Sequence, residues 1–127
     1  MSDFLSSLKH STGGLKAQAT RLRHISENIA NADTPGYRRK TVPFSPDDTA
    51  LGIVKTGTVR LDQTALEKVY DPTHPMADDA GYFDGSNVNL LIEITDAREA
   101  QRSYEANLKM FDQARQMSAS LLELLRR

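Results

Sequence analysis

Apolar residues recur every seven positions at both ends of the chain, and this repeat constrains the fold more than any other sequence feature. One N-terminal row is Leu8, Leu15, Leu22 and Ile29, and the second row is Leu5, Thr12, Ala19 and Ser26. The C-terminal rows are Leu90, Ala97, Tyr104, Phe111, Ser118 and Leu125, and Ile94, Gln101, Leu108, Arg115 and Leu122. Paired rows at this spacing are typical of coiled-coil helices. The sequence therefore predicts a helix over residues 4–32 and another over residues 88–125.

The middle of the chain, residues 33–87, is predicted to be irregular with some β structure. Pro35 and Gly36 stand at the two centre positions of a predicted type II turn, which ends the first helix. Four further prolines exclude long helices from much of the rest: Pro43, Pro46, Pro72 and Pro75. Residues 53–55 and 58–61 predict a short hairpin. Residues 64–69 fit a strand or one helical turn, and residues 70–85 fit an ordered loop or a disordered link.

The predicted architecture is mainly α, a single domain over residues 1–127. Two long terminal amphipathic helices pack as an antiparallel coiled-coil-like pair, joined by the short irregular or β-hairpin segment. Asn87 or Asn89 is expected to cap the second helix. Gly13 and Gly14 interrupt the first helix, each at a cost of about 1 kcal/mol, so its first turns are expected to order only when something packs against them.

Two helices offer each other only one seam, and the apolar surface that remains calls for partner helices. A buried Leu or Phe stabilises by about 1.5–3 kcal/mol, whereas ordering the backbone costs about 1–2 kcal/mol per residue, so a lone helical hairpin is marginal. The termini are therefore predicted to be assembly elements. The predicted interface is Leu8, Leu15, Leu22, Ile25, Ile29, Ile94, Tyr104, Leu108, Phe111, Met117 and Leu121.

Composition excludes several classes of function. The chain has 16 basic and 17 acidic residues, which gives no general attraction to nucleic acid. It has no cysteine, so thiolate metal sites and cysteine nucleophiles are excluded. His10 and His24 lie about 21 Å apart on one helix and cannot bind one metal ion. Neither a catalytic triad nor a phosphate-binding loop appears. We expect no enzyme activity, cofactor, metal or small-molecule substrate.

A long motif runs from the end of the first helix into the turn. The segment from Arg21 to Arg38 contains Asn28, Asn31, Thr34, Pro35, Gly36, Tyr37 and Arg38. A second motif contains Tyr70, Asp71, Pro72, His74, Pro75, Gly81 and Tyr82. A third contains Asn87, Asn89, Tyr104, Glu105, Ala106 and Asn107. Together these motifs resemble the flagellar basal-body rod protein family, and within it the proximal-rod subunits. The chain departs from the family pattern at Ser86, Leu91 and Ile92. The segment of residues 41–69 is also shorter and less similar than the family pattern leads us to expect.

The resemblance implies a structural subunit of the proximal rod that polymerises through its terminal helices. It implies homo- and hetero-assembly with other flagellar rod subunits and with itself. It also implies export by the flagellar type III apparatus without a cleaved signal peptide, and a final place in the periplasmic basal body. The N-terminal residues, which lack the basic start and apolar run of a secretory signal, are consistent with that route. The alternatives are another rod subunit of the family, or a cytoplasmic helical export chaperone or adaptor.

The sequence allows two interpretations for each of two polar clusters. Asn28 and Asn31 either complete the polar end of a helix or bridge to neighbouring subunits. Arg38, Arg39 and Lys40 are expected to pair with acidic groups on a neighbouring subunit or to face water, since a nucleic-acid site would need more positive charge and interleaved aromatic residues.

Overall fold

The protein is described here by a computed structural model that covers residues 2–47 and 52–126. Its helices are α1 (Ser2–Ala30) and α2 (Leu90–Leu125). Its strands are β1 (Lys40–Thr41), β2 (Phe44–Pro46), β3 (Val54–Thr56), β4 (Arg60–Leu61), β5 (Lys68–Tyr70) and β6 (Tyr82–Asp84). The predicted pattern of two terminal helices around a short β-containing segment is confirmed. Residues 1, 48–51 and 127, which belong to the predicted single domain, lie outside the described residues.

The strands of the middle segment pair differently from the predicted hairpin of residues 53–55 and 58–61. β3 pairs with β2, and β4 pairs with β1, both antiparallel. The register changes by one residue between the two pairings, because residues 42–43 lie opposite the three residues 57–59 as in a β-bulge. The hairpin prediction is therefore wrong: residues 40–46 run beside residues 54–61 as one longer ribbon, which forms more ladder bonds than a tight turn at Thr56-Gly57 would allow.

The second hairpin joins β5 to β6 through an ordered loop. Val69 lies opposite Phe83, and the pairing includes Tyr70 with Tyr82. The ordered-loop alternative for residues 70–85 is confirmed, but β6 was not predicted. For residues 64–69 the strand alternative is correct only at the end, where β5 begins.

Gly81 closes this loop in a conformation that other residues rarely adopt. Its φ is 87°, and an added Cβ would lie 2.8 Å from the Tyr70 ring and 3.0 Å from Pro72. We expect Gly81→Ala to lower the free energy of unfolding by about 2 kcal/mol, because left-handed strain and a steric clash add together. Urea unfolding of the purified chain would measure this. Gly36→Ala is the control: Gly36 has φ of 74° but nothing within 4 Å of its added Cβ, so equal losses in the two variants would contradict the clash.

Small and polar residues fill the contact between α1 and α2. Contacts run in opposite order along the two helices: Gly14 meets Asn107, Arg21 meets Glu99, and Asn28 meets Glu93. The buried residues of the two helices include Ser11, Ile25, Asn28, Glu93, Ala100 and Ala114. These residues are not the rows of large apolar residues identified in the sequence. The two helices therefore use a second seam, and the large apolar rows lie beside it.

The glycines of α1 have a packing role. The helix is continuous through Gly13 and Gly14. A Cβ on Gly14 would lie 2.5 Å from the Asn107 side chain, and a Cβ on Gly13 would collide with Ile53 and lie 3.2 Å from the Val54 carbonyl oxygen. Gly14 thus lets α2 approach closely, and Gly13 lets the β2–β3 ribbon do the same. Gly13 and Gly14, which were expected to interrupt the helix, are instead the place where α1 contacts both α2 and the β2–β3 ribbon.

Candidate assembly surface and its supporting junction

Two of the three faces of α1 are covered within the chain. α2 covers the face that contains Gly14 and Asn28, and β3 covers the face that contains Gly13 and the buried Ala17. The third face, here called the open face, consists of Leu5, Leu8, Thr12, Leu15, Ala19, Leu22, Ser26 and Ile29. Its two rows are spaced as coiled-coil a and d positions. The internal packing therefore leaves a stripe with coiled-coil spacing at least partly exposed along α1.

The predicted interface residues are distributed among three environments. Ile25 is the one predicted interface residue that is buried within the described part of the chain. The half-buried members are Leu8, Leu15, Leu22, Tyr104 and Phe111. The exposed members are Ile29, Ile94, Leu108, Met117 and Leu121. The structure thus leaves most of these apolar side chains with free surface, and their role in assembly stays a prediction.

The C-terminal end of α2 carries a cluster of exposed apolar side chains. Leu121, Leu122, Leu124 and Leu125 are all exposed, and Leu125 retains 76% of its accessible surface. A groove at this end is lined by Phe4, Met117 and Leu124, among others. Because Phe4 stands close to the start of α1, the last turns of α2 extend beyond the partner helix. An exposed apolar end of this kind is a marker of protein–protein contact.

A buried polar junction holds the opposite end of the helix pair together, and Asn28 is at its centre. The side chain of Asn28 is fully buried. Its Oδ1 accepts from the Tyr37 hydroxyl at 2.8 Å and from the Lys40 N–H at 2.9 Å, and its Nδ2 donates to the Lys40 carbonyl at 2.9 Å. Asn28 therefore pairs with the backbone of β1 as a neighbouring strand would. Its side chain serves the fold of the subunit, and bridging to a neighbour stays a prediction only for Asn31.

An ionic cluster continues the junction onto α2. Glu93 is fully buried, and Arg39 Nε donates to Glu93 Oε1. Arg39 Nη2 also donates to Asp96 Oδ2 at 2.8 Å, and Arg21 lies 3.8 Å from the other oxygen of Asp96. A buried carboxylate needs such a partner because desolvation of an unpaired charge is costly. The cluster thus joins α1, the segment before β1 and α2.

The predicted turn aims the chain from α1 into this junction. Gly36 has φ of 74°, and the Tyr37 N–H donates to the Thr34 carbonyl at 3.2 Å, as a type II turn requires. Gly36 N–H donates to the Gly85 carbonyl at 3.0 Å, and Ser86 Oγ donates to the Ala32 carbonyl. The turn prediction is confirmed, and the turn is fastened to the segment that precedes α2.

Asn87 and Asn89 have separate roles at the start of α2. Asn89 is the N-cap, and its side chain accepts from the Leu91 and Ile92 N–H groups. Asn87 Oδ1 accepts from the Arg39 N–H at 2.7 Å, and its Nδ2 donates to the Asp62 carbonyl at 2.9 Å. Of the two predicted caps, Asn89 is therefore the correct one. Asn87 instead fixes the backbone beside the ionic cluster.

The basic residues 38–40 bind partners inside the chain, so the expectation that they pair with a neighbouring subunit or face water is wrong. Arg39 binds Glu93 and Asp96 as described. Lys40 Nζ lies 3.0 Å from Glu27 Oε2; this hydrogen bond lowers the pKa of Glu27 and raises the pKa of Lys40. Arg38 donates to the Asp62 carbonyl at 3.1 Å. The turn brings this segment back along α1, where carboxylates are already within reach.

The remaining motif residues build the β5–β6 loop. His74 stacks on Phe83 with ring centroids 3.9 Å apart, and its Nδ1 accepts from the Met76 N–H at 3.1 Å. Asp71 accepts from Thr73, and the Thr73 hydroxyl lowers the pKa of Asp71. Tyr70 and Tyr82 pack with centroids 5.1 Å apart. These residues fix the loop locally.

Three residues of the junction were not predicted from the sequence: Arg39 was expected to pair with a neighbouring subunit or to face water, and Glu93 and Asp96 were not identified as site residues. The signal in the sequence that could have indicated the junction is Asn28 of the first motif, which lies twelve residues before Lys40. Among residues 2–47 and 52–126, no group of three or more His, Asp or Glu side chains is arranged to hold a metal ion. Neither helix, over the same residues, contains an apolar stretch that could span a bilayer.

Two family models of flagellar basal-body rod proteins match the two ends of the chain. Residues 8–38 match the family model described as flagella basal body rod protein, and residues 79–124 match the model described as flagellar basal body rod FlgEFG protein C-terminal. The first match spans most of α1 and the turn, and the second spans β6 and nearly all of α2.

Several curated relatives carry the name flagellar basal-body rod protein FlgC. The Agrobacterium fabrum protein is 48% identical over 89% of this chain and 88% of its own length. The Salmonella typhimurium protein is 35% identical over 87% of this chain and 89% of its own. The Borreliella burgdorferi protein is 34% identical over 94% of this chain and 96% of its own. The chain therefore belongs to the FlgC family of flagellar basal-body rod proteins.

Proposed function

We propose that the chain is a structural subunit of the proximal rod of the bacterial flagellum. In this role it polymerises through its terminal helices and forms part of the shaft that connects the motor to the hook. Family membership supports the place in the rod. The observation that carries the polymerisation is the uncovered apolar surface, namely the open face of α1 together with the exposed leucines at the end of α2.

We propose that the rod grows when helices of neighbouring subunits pack onto the exposed helix faces of this chain. Within one subunit, α1 and α2 form an antiparallel coiled-coil-like pair, and the polar junction holds that pair at one end. Neighbouring subunits then cover the open face and the C-terminal leucines. Burial of several leucines, each worth about 1.5–3 kcal/mol, supplies the association energy that a lone helical pair lacks.

The partners in this proposal are other copies of the chain and other rod subunits, and delivery is by the flagellar type III export apparatus to the periplasm. We propose no catalytic role, since the polar clusters described above are satisfied by contacts within the fold. A cytoplasmic adaptor would instead form a stoichiometric complex with one client and would not be found in purified basal bodies.

The testing experiment is a clean deletion in the source bacterium, scored for motility and for rod structure in purified basal bodies by electron microscopy. We expect loss of motility and basal bodies without a rod. A complete rod in the deletion strain would contradict the proposed function.

A pair of point variants tests the helices themselves. Leu22→Asp on the open face of α1 and Leu108→Asp on α2 are each expected to block rod growth, because a charge replaces an apolar contact in the assembled state. Immunoblots of basal bodies and swimming assays would measure the effect. Gln63→Asp, at an exposed position in the loop after β4, is the matched control. Normal motility of both leucine variants would contradict assembly through these faces.

A further inference from the structure

The open face of α1 has a positively charged border. Lys9, Lys16 and Arg23 are exposed and lie seven residues apart, so they form one row along the helix. Each directly follows a leucine of the open face in the sequence. Within the described part of the chain, none of the three forms an ion pair. The row is therefore available to a partner.

The two heptad rows of α2 form a second face, here called its outer face, which has a border of opposite charge. It consists of Ile94, Ala97, Gln101, Tyr104, Leu108, Phe111, Arg115, Ser118 and Leu122. Glu105 and Asp112 are exposed, lie seven residues apart, and directly follow the half-buried Tyr104 and Phe111. Neither carboxylate forms an ion pair among the residues that the structure describes. Both rows have the same spacing of about 10.5 Å, the rise of seven helical residues. Two acidic groups on α2 can therefore face two basic groups on another α1 at the same time.

The positions of these rows favour one direction of pairing. The two heptad rows of each helix are its a and d positions, and in both helices the charged row occupies the e positions. The g positions contribute to the internal seam, as the buried Ser11 and Ala100 illustrate. In antiparallel coiled coils e residues face e residues, whereas in parallel ones e residues face g residues. Because the g rows are already occupied within each chain, only an antiparallel arrangement brings the two charged rows together.

We propose that the open face of α1 binds the outer face of α2 of a second copy of this chain, antiparallel, with Lys16 opposite Asp112 and Arg23 opposite Glu105. In this register Leu22 faces Leu108. The small residues of α1 then face the aromatic residues of α2, with Ala19 opposite Phe111 and Ser26 opposite Tyr104. The inference rests on the proposed function, since it names the contact through which copies assemble.

Two other arrangements are less favourable. An antiparallel contact between two copies of α1 would place basic rows opposite each other, and like charges in such rows destabilise the pair. Moving α2 by seven residues, so that Lys16 faces Glu105, would place Arg23 opposite Arg98. The proposed contact joins two different faces of the chain, so each copy can add another, as growth of a ring or filament requires.

Charge reversal tests the pairing in the purified full-length chain, with self-association measured by sedimentation velocity at low salt. The combined change Lys16→Glu and Arg23→Glu is expected to weaken association roughly tenfold, since two attractive pairs become repulsive. Adding Glu105→Lys and Asp112→Lys to the same chain should restore it. Lys9→Glu is the matched control, because Lys9 faces the uncharged Ala119 in this register. Failure of the rescue, or an equal loss from Lys9→Glu, would overturn the proposal.

Cysteine cross-linking tests the register independently, because the chain has no cysteine of its own. The proposed register places Thr12 opposite Ser118 of the next copy. Within one chain these positions are far apart. Gly14 lies beside Asn107, so Thr12 is level with about residue 109, and residue 118 lies about 13 Å further along α2. The double variant Thr12→Cys, Ser118→Cys should therefore give a ladder of disulfide-linked multimers on oxidation. Dimers from Thr12→Cys alone, or no ladder from the double variant, would overturn the pairing.

The same variants separate failure of the pairing from failure of the proposed function. If the deletion strain lacks rods but the charge-reversed variant builds normal rods, the pairing is overturned and the rod role stands. If the deletion strain builds complete rods, the rod role itself is overturned. Absent rods in the charge-reversed strain, together with restored rods in the fourfold variant, would support both.

Discussion

Replacing Arg39 by alanine is expected to lower the free energy of unfolding by about 3–5 kcal/mol. The reason is the environment of Glu93. Its carboxylate is fully buried, and Arg39 is the cation in contact with it. Without the guanidinium, the carboxylate must remain charged in a dry environment or take up a proton, and either costs free energy. Urea unfolding followed by circular dichroism would measure the difference.

Two control variants give this prediction its specificity. Lys40→Ala removes a partly exposed pair with Glu27, and it should cost less than about 1 kcal/mol. The double variant Arg39→Met, Glu93→Leu removes both buried charges, so it should recover much of the loss. A loss from Arg39→Ala no larger than that from Lys40→Ala would contradict the role given to the buried pair.

Replacing Asn28 by alanine is expected to lower the free energy of unfolding by about 3 kcal/mol. The change leaves the backbone N–H and carbonyl of Lys40 and the Tyr37 hydroxyl without their partner, and each unsatisfied buried group costs about 1–3 kcal/mol. Partial access of water to these groups, which lie near the surface, keeps the sum below its upper limit. Chemical unfolding would provide the value.

The matched control for Asn28 is Tyr37→Phe, which removes one donor and keeps the ring. Its expected cost is about 1 kcal/mol. Asn31→Ala should also be mild, because the half-buried Asn31 side chain bonds to Glu27 and Thr34, two residues close to it in the sequence. If Asn28→Ala were as mild as these two, the amide would not be the element that joins α1 to β1.

The helices and the turn could be predicted because their signals are local. A seven-residue apolar repeat identifies a helix wherever the helix packs, and Pro35-Gly36 fits only a narrow set of turns. The capping role of Asn89 follows from its position before an apolar run. The repeat does not indicate, however, which face of α1 packs against α2 within the chain and which stays exposed. Leu15 and Leu22 mark the strongest rows, but the internal seam is built where Gly14 and Ala100 allow the two backbones to approach.

The junction could not be predicted because its partners are far apart in the sequence. Glu93 lies in the first turn of α2, where an acidic residue is favourable for the helix dipole and needs no other explanation. Arg39 lies in a run of three basic residues that looks solvated. Only the turn at Gly36 and the ribbon of β1 and β4 bring the two together. The prediction of the strand pairing failed for the same reason. The partner of β3 is set by the position of β1 and not by the sequence near Gly57.

The location of the polar junction has a mechanical consequence. The junction holds the first turn of α2 at Glu93, and contacts with α1 continue as far as Ala114, about 32 Å further along the helix. The last residues of α2 extend about 16 Å beyond Ala114 and carry the exposed Leu121 and Leu124. The direction of α2 is therefore fixed by the junction at one end and by the seam with α1 along its length. A change of about 2° in that direction displaces the far end of the helix by roughly 2 Å, so substitutions that loosen both the junction and the seam should disturb contacts of the terminal leucines.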